Sequence, residues 1–335
     1  MSSPPNSGPP DVADIRRAAE RIAGEAVVTP LVSSPALDAR LEGRIFLKCE
    51  NLQRTGTFKF RGAYNALASL TPEERNRGVV AVSSGNHAQG VAEAARIFGV
   101  PATIVMPADA PAVKRAGVLA SGARLIEYDR ASEDREVVAA AVVEREGGAF
   151  VHPYNDAAVI AGQGTIGLEI AATLKAGGIV PDAVLAPCGG GGLTGGLGTA
   201  IKAEVPSADF HIVEPAGFDE YGRSLREGRI IANERTSGSV CDSLLAKAPG
   251  KLGFALNQAN VTSALSVSDE EALAAVAYAF RVLKLVVEPG GAVALAALLA
   301  GRVPVAGRTV VAVLSGGNID PAVMARALAS AGPSG

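Results

Sequence analysis

Four short stretches hold residue types that could do chemistry. The first is Thr55-Gly56-Thr57-Phe58-Lys59-Phe60-Arg61-Gly62-Ala63. A lysine between two phenylalanines, just past a Thr-Gly-Thr turn, is poorly placed for a solvated charge. Burial among such neighbours lowers a lysine's pKa and makes its neutral amine available as a nucleophile or Schiff-base partner. The bland alternative is a lysine that snorkels from a helix start while the phenylalanines pack. The second stretch, Ser83-Ser84-Gly85-Asn86-His87-Ala88-Gln89-Gly90, offers helix-opening amides with Ser and Asn side chains, a receptor for a carboxylate or phosphate. Ordinary helix capping needs one such residue, and this turn supplies several. The third, Cys188-Gly189-Gly190-Gly191-Gly192-Leu193-Thr194-Gly195-Gly196, has four consecutive glycines, which cost backbone entropy but let amides wrap an anion. The fourth, Ser315-Gly316-Gly317-Asn318, reads by itself as a turn, with a hydroxyl suited to a polar ligand atom.

The elements around these stretches follow from periodicity. Gly78 to His152 alternates short apolar strands (Val79–Val82, Thr103–Met106, Arg124–Glu127, Phe150–Val151) with helices predicted over Asn86–Phe98, Ala112–Ser121 and Ser132–Glu146. A second series gives a helix over Ala157–Leu174, a strand at Ala183–Ala186, a helix from Leu193 and a strand at Phe210–Val213. Beyond it come a strand at Val261–Val267, a helix over Asp269–Leu283 capped by Ser268 with Glu271, a helix over Gly290–Leu299 and a strand at Val310–Leu314. Arg44–Lys48 is a further strand, leading into the lysine stretch and a helix over Arg61–Leu70. Strands alternating with helices predict an α/β protein with two open, twisted, mostly parallel sheets. The expected organisation is a disordered leader over residues 1–10, a large domain of 11–70 plus 153–330, and a small substrate-side domain of 71–152. Gly228 to Pro249 lacks periodicity and reads as a long functional loop. Every chemical stretch but the first follows a predicted strand, where open α/β sheets bind ligands.

Composition removes several classes of function. The 335 residues are 48% apolar and 19% charged, as in a well-buried globular chain. A net charge of -3, 4% aromatic residues and no Trp argue against a nucleic-acid surface. Cys49, Cys188 and Cys241 are scattered, and His87, His152 and His211 lie far apart, so neither a disulfide framework nor a His/Cys metal cluster is expected. Ser2 to Pro10 has no basic-then-apolar run of a signal peptide, and no uninterrupted apolar run approaches membrane-spanning length. The expectation is a soluble, cytoplasmic protein. Gly190-x-Gly192-x-x-Gly195 with Glu214 on the next strand also satisfies a dinucleotide fingerprint, so a nicotinamide-dependent oxidoreductase is the formal competitor. That reading leaves the lysine stretch and the Ser84 turn without a role.

Taken together, Thr57-Phe58-Lys59-x-Arg61-Gly62-Ala63, Ser83-Ser84-Gly85-Asn86-His87, Gly189 to Gly192 and Ser315-Gly316-Gly317-Asn318 resemble the fold type II pyridoxal-phosphate enzymes, in the branch of serine/threonine dehydratases and serine racemase. Val151-His152-Pro153-Tyr154, Ala161-Gly162-Gln163-Gly164-Thr165 and Glu288-Pro289-Gly290-Gly291-Ala292 extend the resemblance over about residues 11 to 325. It implies pyridoxal 5'-phosphate held between two domains of a homodimer-forming chain. Lys59 would be the Schiff-base lysine and α-proton base, with Ser84 an acid/base on the opposite face. Phe58 would pack by the ring, Asn86 would bond its 3-hydroxyl and Ser315 would face its nitrogen. Gly189, Gly190, Gly191, Gly192 and Leu193 would hold the phosphate. Ser83, Ser84, Asn86 and His87 would receive the substrate carboxylate. Glu214, the backbone oxygen of Phe218 and Glu220 match a cation site for Mg, Ca, Mn or K.

The implied reaction is dehydration and deamination of a β-hydroxy amino acid such as serine or threonine to a 2-oxo acid and ammonia, an ammonia-lyase activity. Hydroxyaspartate, phenylserine and racemisation are the alternatives. Between Thr236 and Gly250, Ser237-Gly238-Ser239-Val240-Cys241-Asp242-Ser243-Leu244-Leu245 departs from the Thr-Ile-Ala-Asp-Gly-like segment usual in the threonine branch, which leaves the substrate open. Residues beyond Asn318 leave no room for the C-terminal regulatory domain of biosynthetic threonine dehydratases, so feedback control by an end-product amino acid is not expected.

Overall fold

The computed structural model describes residues 8–83, 85–110, 112–129 and 132–330. Residues 1–7 of the expected leader lie outside that set, as does Ser84. Among the described residues ten strands run, in chain order, β1 Leu31–Ser33, β2 Arg44–Cys49, β3 Val79–Val82, β4 Ala102–Pro107, β5 Arg124–Tyr128, β6 Ala149–Phe150, β7 Ala183–Pro187, β8 Asp209–Pro215, β9 Ser263–Val267 and β10 Thr309–Leu314. They form a six-stranded sheet, ordered β1-β2-β10-β7-β8-β9, and a four-stranded sheet, ordered β5-β4-β3-β6. All pairings are parallel except β1 with β2. The predicted mostly parallel α/β architecture is therefore present.

The strand orders explain where the chemical stretches meet. In the six-stranded sheet β7, β8 and β9 wind one way, while β10 lies on the other side of β7. In the four-stranded sheet β3, β4 and β5 wind one way and β6 lies across β3. Each sheet thus has one reversal of winding, and ligand crevices form at the carboxyl ends of strands at such points. The loops leaving β7 and β10 are Cys188–Gly191 and Ser315–Asn318; those leaving β3 and β6 are Ser83–Gly85 and Val151–Asp156.

The inner strands β3, β4, β7, β8 and β10 are largely apolar and buried on both faces, as parallel strands require. Val79–Val82 and Ala102–Pro107 are buried throughout. One face of the six-stranded sheet packs on Leu295, Leu298, Leu273 and Val276; the other packs on Ile166, Ile170, Leu193 and Leu197. The four-stranded sheet has its own core of Val79, Ala81, Ile104, Val91 and Ala95, to which Phe60, Ala63 and Leu67 contribute.

Local chemistry sets the element ends. Ser268 and Glu271 form the predicted reciprocal cap, at 3.2 and 2.8 Å. The helix predicted from Ser132 starts instead at Arg135, because Asp134 caps it by accepting from the Glu136 and Val137 amides. Among the described residues, Gly228 to Pro249 holds one helical element, the three-residue 3-10 turn Asp242–Leu244, between helix Glu220–Glu227 and the helix that starts at Lys251. Helix Ala157–Ala176 is long and apolar enough to cross a membrane, although Gln163 and Glu169 interrupt its apolar run. Most of it is buried inside the protein, and it packs on helices Gly192–Glu204 and Lys59–Ser69, so it reads as a core helix.

Candidate active site

Lys59 opens helix Lys59–Ser69 at the seam between the sheets. Its neighbour Phe58 packs on the core of the six-stranded sheet, while Phe60 is fully buried in the core of the four-stranded one. The two phenylalanines thus anchor the lysine from both sides. The Phe58 amide donates to the Ser315 carbonyl at 3.1 Å, and Thr57 bridges Gly316, which puts β10's carboxyl end directly beneath the lysine. The Lys59 amine donates to the Pro153 carbonyl at 2.8 Å, in the loop leaving β6. Burial lowers its pKa from 10.5 to about 8, partly opposed by the Glu288 carboxylate. A substantial fraction of neutral amine near neutral pH follows.

The glycine run faces this lysine across Tyr154. A Cβ on Gly190 would stand 2.4 Å from the Tyr154 ring, and one on Gly192 would stand 2.8 Å from the Tyr154 Cα. Gly191 has φ +87, and a Cβ there would meet the Tyr221 hydroxyl at 2.1 Å. The run is therefore forced by close packing as well as by backbone freedom. Gly191 is the N-cap of helix Gly192–Glu204 and offers no side chain to the first amides, including those of Gly192 and Leu193. These amides have no intrahelical acceptor, which makes a receptor for an anion of phosphate size. Gly85 likewise caps helix Asn86–Phe98 without a side-chain bond, leaving the amides of Asn86 and His87 open beside Ser83.

Asn86 is oriented from two directions. Its Nδ2 donates to Glu288 Oε1 at 2.6 Å, and its Oδ1 accepts from Asn318 Nδ2 at 3.0 Å. Asn318 also donates to the Thr55 carbonyl at 2.9 Å, tying the fourth stretch to the first. His87 is buried, and its Nε2 donates to the Val151 carbonyl at 2.9 Å. Burial and the Lys59 charge push its pKa down to about 3, so the ring is neutral and its Nδ1 is an unused acceptor among the described residues. Ser315 is buried at the end of β10. The structure therefore links Lys59, Phe58, Asn86, His87, the glycine run and Ser315 through one set of contacts between the two sheets; Ser84 lies outside the described residues.

Glu214, Phe218 and Glu220 lie together at the end of β8. Both Glu214 oxygens accept backbone amides, from Tyr221 and Gly222, each at 2.8 Å. Glu220 Oε2 accepts from Asn233 at 2.5 Å, and its Oε1 is buried without a partner among the described residues. Burial and the neighbouring Glu220 raise the Glu214 carboxyl well above its usual range; burial raises Glu220 to about 7. Two carboxylates that resist ionising together are a pair that a cation would relieve.

Sequence reasoning missed three participants. Glu288 appeared only as part of a motif, yet it orients Asn86 and acts on Lys59. Tyr154, flanked by His152 and Pro153, covers the glycine run. Arg135 acts electrostatically on His152 and on Tyr154, so its positive charge lies close to the loop that leaves β6. Its position at the first residue of a helix that follows β5 was the available signal.

Comparison with known proteins places the chain in a family. Residues 22–316 match the model of the family described as pyridoxal-phosphate dependent enzyme. The L-threo-3-hydroxyaspartate ammonia-lyase of a Pseudomonas species is 41% identical over 307 residues, covering 92% of this chain and 95% of that protein. The L-threonine ammonia-lyase of Thermotoga maritima is 44% identical over 311 residues, covering 92% of this chain and 75% of that protein. The structure of maize serine racemase superposes with a TM-score of 0.89 at 35% identity, covering 96% of this chain and 97% of that one. The nicotinamide alternative loses its ground, since the Gly190-x-Gly192-x-x-Gly195 run falls inside the match. The chain belongs to the pyridoxal-phosphate-dependent enzymes of fold type II.

Proposed function

We propose that this protein is an ammonia-lyase that converts a β-hydroxy amino acid, with serine and threonine as the simplest members, to a 2-oxo acid and ammonia. The observation that carries the reading is one crevice holding a lysine of lowered pKa, a side-chain-free anion receptor and an oriented amide. The residues fit pyridoxal phosphate: packing against Tyr154, Tyr221 and Leu244 keeps the Gly189–Gly192 run free of side chains, and the open amides at the start of helix Gly192–Glu204 suit the phosphate. Leu193 continues that turn, Phe58 lies along one side, Asn86 has one N–H left for a ring hydroxyl, and Ser315 offers the ring nitrogen a neutral partner.

When bound, pyridoxal phosphate supplies an electrophilic carbon for amines and a conjugated system that takes up the electron pair left by a departing α-proton. Lys59 provides the amine that holds the cofactor and then, as a neutral amine, removes the α-proton. The open amides at Asn86 and His87, with Ser83 and Ser84, receive the substrate carboxylate and fix which α-bond faces Lys59. Ser315 would offer the ring nitrogen a neutral hydroxyl in place of a carboxylate, a partner that does not enforce a charged nitrogen. Ser84 is assigned the opposite face, where it would also serve racemisation.

A second reading of the substrate rests on Arg135. A guanidinium beside Tyr154 favours a side chain carrying its own carboxylate, as in 3-hydroxyaspartate. The hydroxyaspartate ammonia-lyase relative is consistent with it.

Glu214, the Phe218 carbonyl and Glu220 we assign to a structural cation, Mg, Ca, Mn or K, supported by the partnerless Glu220 oxygen. The two sheets support a division into 11–70 plus 153–330, holding the cofactor, and 71–152, on the substrate side. A cytoplasmic homodimer completes the proposal; the exposed apolar residues Val27, Leu52, Phe280 and Val286 support a covered face. The deciding experiment is reconstitution with pyridoxal phosphate followed by borohydride reduction and peptide mapping. Cofactor fixed on Lys59 is expected. Cofactor fixed on another lysine, or none, overturns the assignment.

A further inference from the structure

Two residues beyond Lys59, Arg61 is fully buried, and the chemistry described above makes no use of it. Its guanidinium is saturated. Nε and Nη2 donate to Glu50 at 2.8 and 2.9 Å, and Nη1 and Nη2 donate to Glu169 at 2.6 and 2.9 Å. Thr165 Oγ1 accepts at 3.2 Å and the Val27 carbonyl at 3.1 Å. Lys48, also buried, donates to Glu169 at 2.5 Å and to the Thr29 carbonyl at 2.6 Å. Two cations and two carboxylates therefore neutralise one another in the interior.

The partners share an address. Lys48 is the penultimate residue of β2 and Glu50 lies just beyond that strand, Thr165 and Glu169 lie on helix Ala157–Ala176, and that helix packs on the six-stranded sheet's core through Ile166 and Ile170. The remainder of the lysine helix, with Phe60, Ala63 and Leu67, belongs to the core of the four-stranded sheet. Arg61 thus ties the first turn of that helix to the sheet that carries the glycine run. A buried ion cluster seldom adds stability over apolar packing of the same volume, but the planar fork of arginine fixes direction. Two carboxylates gripping one guanidinium define both the height and the rotation of the turn from which Lys59 projects.

We propose that Arg61 is a positioning residue for Lys59: by clamping the helix start to Glu50 and Glu169, it holds the amine in reach of the ligand seated on the glycine run. The inference rests on the pyridoxal-phosphate reading, and the test separates the two. R61M, R61K and E169Q are prepared free of cofactor and mixed with pyridoxal phosphate. Three quantities are read: cofactor bound per chain, the rate of its covalent attachment to Lys59 by absorbance, and the melting temperature before mixing. In R61M the bound amount should match wild type while attachment slows by roughly tenfold to a hundredfold, the penalty of an ångström-scale misplacement. R61K, which keeps charge but loses the fork, should remain slow. Attachment at the wild-type rate in R61M with only a lowered melting temperature would overturn the inference, as would full rescue by R61K. Should R61M not fold, E169Q, on a carboxylate that is only partly buried, decides instead: a severalfold slowing supports the clamp and the wild-type rate overturns it. A wild-type protein that binds no pyridoxal phosphate would overturn the functional reading, and this inference with it.

Discussion

The reactivity of Lys59 can be measured before any cofactor is added. Burial brings its pKa to about 8, against 10.5 for an ordinary lysine, and Glu288 opposes that shift. Near pH 7.5 an ordinary lysine is neutral in about one molecule in a thousand, while one with the lowered value is neutral in roughly a quarter, a gain of about 200-fold. The sign for Glu288 follows from charge: removing a carboxylate makes the ammonium form less favoured, so E288Q moves the midpoint further down. The assay is a pH series of limiting acylation on cofactor-free protein, with modification at each lysine quantified by peptide mass spectrometry. Exposed Lys175 and Lys251 serve as internal references for reagent decay. Lys59 should label with a midpoint near 8, and E288Q below it. A Lys59 midpoint near 10.5 would refute the desolvation argument; an upward move in E288Q would refute the role given to the carboxylate.

Other consequences are as direct. Gly191→Ala combines left-handed strain of about 1–2 kcal/mol with overpacking of about 1–3 kcal/mol against Tyr221; urea unfolding and cofactor titration should show both losses. Gly228→Ala, also at positive φ but in open space, should lose about 1 kcal/mol or more of stability with cofactor affinity unchanged. Replacing Arg135 by Met should lower kcat/KM for 3-hydroxyaspartate relative to serine by roughly tenfold to a hundredfold, the value of a lost charged hydrogen bond; equal loss on both substrates contradicts the specificity role. Saturating calcium or magnesium should raise the melting temperature by a few degrees, since about 100-fold excess over Kd is worth ~2.7 kcal/mol, and E220Q should abolish the rise.

The chemistry was legible because it sits at strand ends. A glycine run after Val184-Leu185-Ala186 and Ser315 after Val313-Leu314 announce themselves through the apolar strand that precedes them. What could not be read is contact across distance. The partners of Arg61 lie 11 and 108 residues away, and nothing in Lys-Phe-Arg says that the arginine is the buried charge and the lysine the partly accessible one. Asn86 and Glu288 meet over 202 residues. Antiparallel β1 escaped because three residues carry no period. The sequence places a helix over Ala157–Leu174, but its glycines and Gln163 conceal how completely helix Ala157–Ala176 is enclosed. Short helices such as Pro35–Leu41 and Glu220–Glu227 are set by caps and neighbours more than by pattern.

The central claim is elimination from a β-hydroxy amino acid with Lys59 as the base. The measurement that tests it most directly is 2-oxo acid release by the reconstituted protein across serine, threonine, 3-hydroxyaspartate and phenylserine, with chiral analysis of the residual substrate and K59A in parallel. The account predicts oxo acid and ammonia in equal amounts from at least one of these, and none from K59A. No oxo acid from any, or inversion of the α-carbon as the sole change, would contradict it.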